Sequence, residues 1–175
     1  GRAMEEAAAG HQSKMSAILG TTREKTENAC AAARSETGLV AEVANLNCAG
    51  QVVIGGDTQA VDRAAQLALE AGAKRCVPLQ VSGAFHTSLM APAGKALADF
   101  FPRVQFHPME LPVVLNIDAQ PHTREQDLPE VLVRQVQSPT RFEDTIHFLL
   151  DHGVDTVVEI GPGKVLSGFV KKSGP

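Results

Sequence analysis

Tryptophan and tyrosine are absent, and seven phenylalanines are the whole aromatic complement of the 175 residues. Long apolar runs are absent too. A membrane-crossing helix needs about 20 mostly apolar residues, so none is expected. Positive charge is not in excess: 16 Lys and Arg face 20 Asp and Glu, for a net charge of −4 and a pI near 5.9. An acidic chain without a basic stripe is not expected to bind nucleic acid. Cysteine is scarce, and Cys30, Cys48 and Cys76 form no Cys-x-x-Cys pair. That spacing fits reduced thiols in the cytoplasm better than disulfides or a zinc site. No charged leader followed by an apolar stretch opens the chain, so no secretory signal is expected. The first residue is Gly rather than Met, and both ends read as cut. What is present is ordinary globular composition, 43% hydrophobic and 21% charged. The length suggests one domain or two small ones at roughly 150 residues each.

The apolar pattern organises the chain. Gly1 to His11 reads as the end of a helix stopped by Gly10. A short strand follows at Met15 to Leu19. Thr21 and Glu24 form a capping box that opens a helix from Thr22 to Arg34. Leu39 to Leu46 and Gln51 to Gly56 read as a hairpin across the four-residue turn Asn47 to Gly50. Asp57 caps a second helix whose Val61, Ala64, Ala65, Ala68 and Leu69 share one face, and Arg75 to Val81 returns as a strand. The order is β-α-β-β-α-β, a split βαβ or ferredoxin-like arrangement.

Beyond residue 81 the pattern changes. Leu89, Ala93, Ala96, Leu97, Phe100 and Phe101 make a helical stripe ended by Pro102. Leu111 to Ile117 and Val154 to Ile160 read as strands buried on both faces, as in a parallel sheet. Helices are expected at Asp127 to Gln137 and from Phe142 to Gly153. The fold class is therefore α/β: residues 1–11 and 82–175 form one body, and residues 12–81 are a ferredoxin-like module inserted in it.

Candidate chemistry is sparse. His147 and His152 are five residues apart, which does not place both on one helical face, and no His-Glu-x-x-His occurs, so no metal site is expected. Gly161-Pro162-Gly163-Lys164 lacks the earlier glycine and the following Ser or Thr of a phosphate loop, which leaves a tight strand-to-helix turn. No Gly-x-Ser-x-Gly elbow is present. His86, in Ser82-Gly83-Ala84-Phe85-His86-Thr87-Ser88, falls near the start of a helix, whose dipole would keep its ring neutral and able to accept a proton. Taken alone it reads equally as a capping or packing histidine. Gln135 continues the buried stripe of Leu128, Val131 and Leu132, where a polar side chain must find partners; a structural glutamine is the simpler reading.

Four stretches in order, Gly50-Gln51-Val52-Val53-Ile54, Val81 to Met90, Arg134-Gln135-Val136-Gln137-Ser138-Pro139 and Glu159-Ile160-Gly161-Pro162-Gly163-Lys164-Val165-Leu166, resemble the malonyl-CoA:acyl carrier protein transacylases. The resemblance runs through essentially all 175 residues. It implies an α/β-hydrolase-like body carrying a ferredoxin-like insert. It also implies a ping-pong transfer of malonyl from coenzyme A, through a serine, to the phosphopantetheine thiol of acyl carrier protein in fatty acid biosynthesis. Coenzyme A is then part of a substrate, and no cofactor is implied. On the same resemblance His86 is the catalytic histidine, and the main-chain carbonyl of Gln135 holds its other ring nitrogen. Gln51 stands at the mouth of the site, Asn116 lines the cleft, and Phe85 occupies space that a methyl-branched extender unit would need. The serine elbow, an oxyanion glutamine and the arginine that grips malonyl would lie upstream of the residue matching Gly1, and Arg2 does not match that arginine. The chain would then be a C-terminal portion, inactive alone. Two other readings stand beside this one. One is an acyltransferase domain of a polyketide synthase. The other is a non-catalytic carrier-protein docking module, with Arg63, Lys74, Arg75 and Arg103 as candidate contacts.

Overall fold

The structure, a computed structural model, describes residues 1–174. In chain order its first elements are α1 (Arg2–Ala9), β1 (Ser13–Leu19), α2 (Arg23–Thr37), β2 (Ala41–Cys48), β3 (Gln51–Asp57), α3 (Thr58–Glu70) and β4 (Arg75–Pro78). The strands lie in the order β4-β1-β3-β2 with every neighbour antiparallel. A fifth strand, β7 (Thr140–Arg141), joins the outer edge of β2 in parallel. The protein is mixed α/β.

Local chemistry sets the element ends, with small departures from the sequence pattern. The cap of α2 is Thr22 rather than Thr21: Thr22 has extended backbone and its hydroxyl accepts from the Lys25 N–H at 3.3 Å. Gly38, at φ +68°, closes the helix by donating to Arg34 O. The hairpin turn is only Ala49-Gly50, because β2 runs on through Cys48. Asp57 precedes α3 but spends its carboxylate on the Val40 N–H, at 2.8 Å, instead of capping the helix. β4 stops at Pro78, which has no N–H for the ladder, and only Leu79 N continues to Met15 O before the strand expected to reach Val81 leaves the sheet.

The two sheet faces bury different partners. Helices α2 and α3 set Ala29, Cys30, Ala33, Val61, Ala64 and Ala68 against Ile18, Val43, Leu46, Val52 and Ile54. Alanine on both helices lets them sit close to the sheet. Leu69 falls past the edge of this row and is 46% exposed, contrary to the expected stripe. On the opposite face Met15, Ala17, Ala44 and Val53 are covered by Leu79 and Phe85. The alternation of β2 breaks at Ala44: Val43 pairs with Ile54 but Asn45 pairs with Val53. The extra residue returns Leu46 to the face of Val43, and Glu42 and Asn45, both half-buried, lie off that face.

After β4 come a turn, a 3-10 segment Ser88–Met90, α4 (Ala91–Phe100), a 3-10 segment Phe101–Arg103, β5 (Val113–Val114), β6 (Pro121–His122) and α5 (Leu128–Gln135). β7, α6 (Phe142–Asp151) and α7 (Val165–Ser173) follow. A third cluster joins Ala7 and Ala8 of α1 to Met90, Ala93 and Val136. The buried row of α4 thus starts from Met90, one residue later than expected, and Phe100 is exposed. The two strands expected to be buried on both faces are not. Val113–Val114 pairs only with β6, in an antiparallel ribbon, and residues 154–160 form no strand among the described residues. Leu111 and Ile160 are 74% and 93% exposed. A continuous apolar run becomes an inner strand only where strands on both sides take its backbone groups; among the described residues Val113–Val114 has a strand on one side and residues 154–160 have none.

Gly56 sits at φ +152°, and a Cβ there would lie 2.0 Å from Val40 O, a backbone atom. Gly56→Ala should therefore destabilise the fold by about 3 kcal/mol or more. Equilibrium urea unfolding checks this, with Gly153→Ala, whose Cβ would meet nothing within 4 Å, reporting the cost of the positive φ alone.

Candidate active site

The turn between β4 and α4 is built by close approach. Gly83 lies so near α1 that a Cβ on it would be 2.4 Å from Ala8 Cβ. The Ala84 N–H donates to Ser13 Oγ at 3.2 Å, and the Thr87 hydroxyl donates to Ala84 O at 2.6 Å. Thr87 is 1% exposed, and a Cβ on Gly55 of β3 would sit 3.1 Å from its methyl group. Glu42 of β2 accepts from both the N–H and the hydroxyl of Ser88, each at 2.8 Å. Within this frame His86 takes φ +61°, a left-handed conformation. For a non-glycine residue that conformation costs of order 1–3 kcal/mol and persists only where the surroundings over-determine it. Phe85 packs into two clusters at once, the one on α1 and α4 and the one on the sheet.

His86 is half-buried, and its Nδ1, wholly covered, has no hydrogen-bond partner of good geometry among the described residues. The main-chain carbonyls of Gln135 and Ser138 are nonetheless close enough to favour the imidazolium form. Burial outweighs them and pulls the ring's pKa below 6.5. The ring is therefore neutral, as the sequence suggests, but desolvation is the leading cause; the 3-10 segment separates His86 from α4. Gln135 is the last residue of α5, and its side-chain Oε1 is buried without a partner among the described residues. Ser138 was not singled out in the sequence. Its signal is Pro139, which biases the preceding residue toward extended backbone.

Two contacts hold the carbonyl segment. Asn45 Nδ2 donates to Thr140 Oγ1, and Arg141 N donates to Asn116 O, both at 2.9 Å. Asn116 therefore flanks β7, with the segment carrying the two carbonyls running into it. Gln51 lies four residues along β3 from Gly55, about 13 Å at strand rise, on the same alternating face; no hydrogen bond joins it to His86.

The other sequence candidates resolve elsewhere. Gly161 and Gly163 have positive φ and form a tight turn before α7. The helix N-terminus they lead into is filled by the chain's own anion: Glu159 accepts from Leu166 N, Ser167 N and the Ser167 hydroxyl. These bonds hold the Glu159 carboxyl below its ordinary value. Among the described residues no three His, Cys, Asp or Glu side chains converge as metal ligands would. Burial pushes the Cys30 thiol up to about 12, far from a reactive thiolate. Arg63 is engaged by Glu36 and Glu70.

The lowered pKa has a signed consequence. Below 6.5 the unfolded chain takes up a proton that folded His86 resists, so its contribution to stability is full above that value and is lost as pH falls toward the lowered one. His86→Gln should reduce the drop in urea midpoint between about pH 7.5 and about pH 5.5. An identical drop in the variant would mean that the ring is not held neutral by the fold.

No family model matches the chain. Among curated proteins, a malonyl CoA-acyl carrier protein transacylase of Bacillus subtilis (strain 168) is 44% identical over 172 residues, covering 98% of this chain and 54% of the relative. Among solved structures, an acyl carrier protein S-malonyltransferase from Vibrio cholerae superposes with a TM-score of 0.94 at 38% identity, over 98% of this chain and 56% of that one. A malonyl-transacylase in complex with its type II PKS acyl-carrier protein gives 0.93 at 37% identity, over 98% and 55%. By sequence and by fold, over nearly all of its residues, the chain is homologous to the malonyl CoA-acyl carrier protein transacylases, and it spans about half the length of the curated relatives it matches.

Proposed function

We propose that the chain is the histidine-bearing portion of an enzyme that moves malonyl from coenzyme A to the phosphopantetheine thiol of acyl carrier protein. The observation that carries this is His86: half-buried with its Nδ1 fully covered, its pKa lowered, held in a left-handed turn, with the carbonyls of Gln135 and Ser138 beside its ring. In this reading Nδ1–H is directed at those carbonyls and Nε2 is the base. Nε2 takes the proton of a serine hydroxyl as the oxygen attacks the malonyl thioester. The coenzyme A thiolate leaves and is protonated from the imidazolium. The carrier protein's thiol then gives its proton to Nε2 and attacks the serine ester, and the serine oxygen recovers that proton. Carbonyls suffice where a serine protease uses aspartate, because a thiolate is a far better leaving group than an amine.

The serine, an oxyanion-hole donor and an arginine for the malonyl carboxylate are assigned to chain outside these 175 residues. The relatives' greater length and the lack of a Gly-x-Ser-x-Gly here support that assignment. Phe85 narrows the pocket against branched acyl groups, Asn116 lines the cleft, and Gln51 stands at its mouth. Residues 12–81 are the ferredoxin-like insert, and residues 1–11 and 82–175 belong to an α/β-hydrolase-like body. The strand order β4-β1-β3-β2 supports the first assignment. Among the described residues no helix is long and apolar enough to cross a membrane, and the free, buried Cys30 and Cys48 favour the cytoplasm. The acyl-carrier partner is supported by the relative solved in complex with one.

In the full-length protein His86→Ala should lower malonyl transfer roughly 10²- to 10⁴-fold; unchanged turnover overturns the assignment. The 175-residue chain incubated with labelled malonyl-CoA should form no acyl-protein, read by intact mass. A stoichiometric adduct would place a nucleophile within it.

A further inference from the structure

We propose that Glu42 is a positioning residue for His86, setting the ring against the carbonyls of Gln135 and Ser138. The proposal rests on the reading of His86 as the base. The turn that carries His86 has two flanks. The earlier flank is secured by Gly83 against Ala8 and by Ala84 N on Ser13 Oγ. On the later flank, Thr87 bonds back to Ala84 within the turn itself. Among the described residues, the side chain that reaches across from the sheet to hydrogen-bond this later flank is Glu42, 46 positions away from Ser88 in sequence.

The geometry suits a clamp. One carboxylate oxygen accepts from Ser88 N and the other from Ser88 Oγ, each at 2.8 Å, well inside hydrogen-bonding range. Ser88 also opens the 3-10 segment that leads into α4, so the carboxylate occupies a helix start whose N–H groups need an acceptor. A left-handed His86 can relax toward the ordinary backbone region unless both flanks are held.

The strand that carries Glu42 also holds the other half of the site. Asn45 bonds Thr140, two residues beyond Ser138, and β7 is paired to β2 at Asn45 and Leu46. Glu42 lies off the helix-covered core face by ordinary alternation between Ala41 and Val43, and the extra residue at Ala44 keeps Asn45 off that face as well. β2 therefore fixes two things at once: the turn bearing the imidazole and the segment bearing the carbonyls. Glu42 touches no reacting atom in this arrangement. Its loss alters orientation, which enters kcat, rather than substrate affinity.

The test is steady-state malonyl transfer to acyl carrier protein by the full-length protein, with Glu42→Ala, Glu42→Gln, Ser88→Ala, the Glu42→Ala/Ser88→Ala double variant and His86→Ala. Glu42→Ala should lower kcat about tenfold, the scale of a sub-ångström misplacement, with KM for malonyl-CoA within about twofold. Glu42→Gln keeps an acceptor and should recover part of the loss. The double variant should be no slower than Glu42→Ala, because both changes cut the same link. If Glu42→Ala does not fold, as judged by thermal unfolding, Glu42→Gln and Ser88→Ala carry the test through the same kcat and KM split. Wild-type kcat in the Glu42 and Ser88 variants beside a collapsed His86→Ala overturns the positioning role while leaving the base in place. A loss confined to KM, or a double variant slower by the product of the single effects, also overturns it. Full activity of His86→Ala overturns the underlying reading instead.

Discussion

The arrangement of the candidate site depends on a close approach between a short turn and the two surfaces on either side of it. Gly83 meets Ala8 on one side, and Thr87 meets Gly55 on the other, at separations that leave no room for a Cβ on Gly83 and little on Gly55. Between these contacts His86 is driven into a left-handed conformation that an isolated turn would abandon. The same burial removes the ring from water and lowers its pKa, so packing and protonation state have one cause. A local steric constraint thus becomes a chemical property.

The sheet is the reference frame for this constraint. One face is committed to α2 and α3 through small and branched side chains, which makes it a rigid slab. The other presents Val53, Ala44 and Met15 to Phe85, and offers Gly55 to Thr87. Ordinary alternation turns Glu42 toward the turn, and the break at Ala44 lets β2 keep its core face through Leu46 while leaving Asn45 free to meet β7. Charge is handled internally elsewhere as well. Glu159 satisfies the start of α7, so the glycine turn before it is a folding device.

Much of the first half was legible in the sequence because its signals are local. A threonine cap within one residue of Thr22, Gly38 after the helix end, alternation along β1 and the small-residue row on α3 each follow from backbone geometry over a few residues. The second half was less legible. Leu111 to Ile117 and Val154 to Ile160 have the composition of inner strands, yet strand formation is a pairing property: among the described residues the first finds a partner on one side only, in β6, and the second finds none. Leu69 and Phe100 failed for a related reason: periodicity names a face, but the width of the buried stripe is set by what packs on it. Local pattern singled out His86 and Gln135, and the roles proposed for them rest on the resemblance; burial and strain do not appear in any motif.

The amino-acid sequence by itself determined the β-α-β-β-α-β order, most helix limits, the absence of a phosphate loop and the presence of one histidine in a distinctive setting. These depend on spacing and on backbone preferences that act over one or two turns. The tertiary structure alone decided that the His86 ring is neutral because it is buried, that Ser138 joins Gln135 beside it, and that Glu42 reaches Ser88 from 46 residues away. Desolvation and hydrogen bonding between distant segments exist only once the chain has folded, since each requires groups far apart in sequence to exclude the same water.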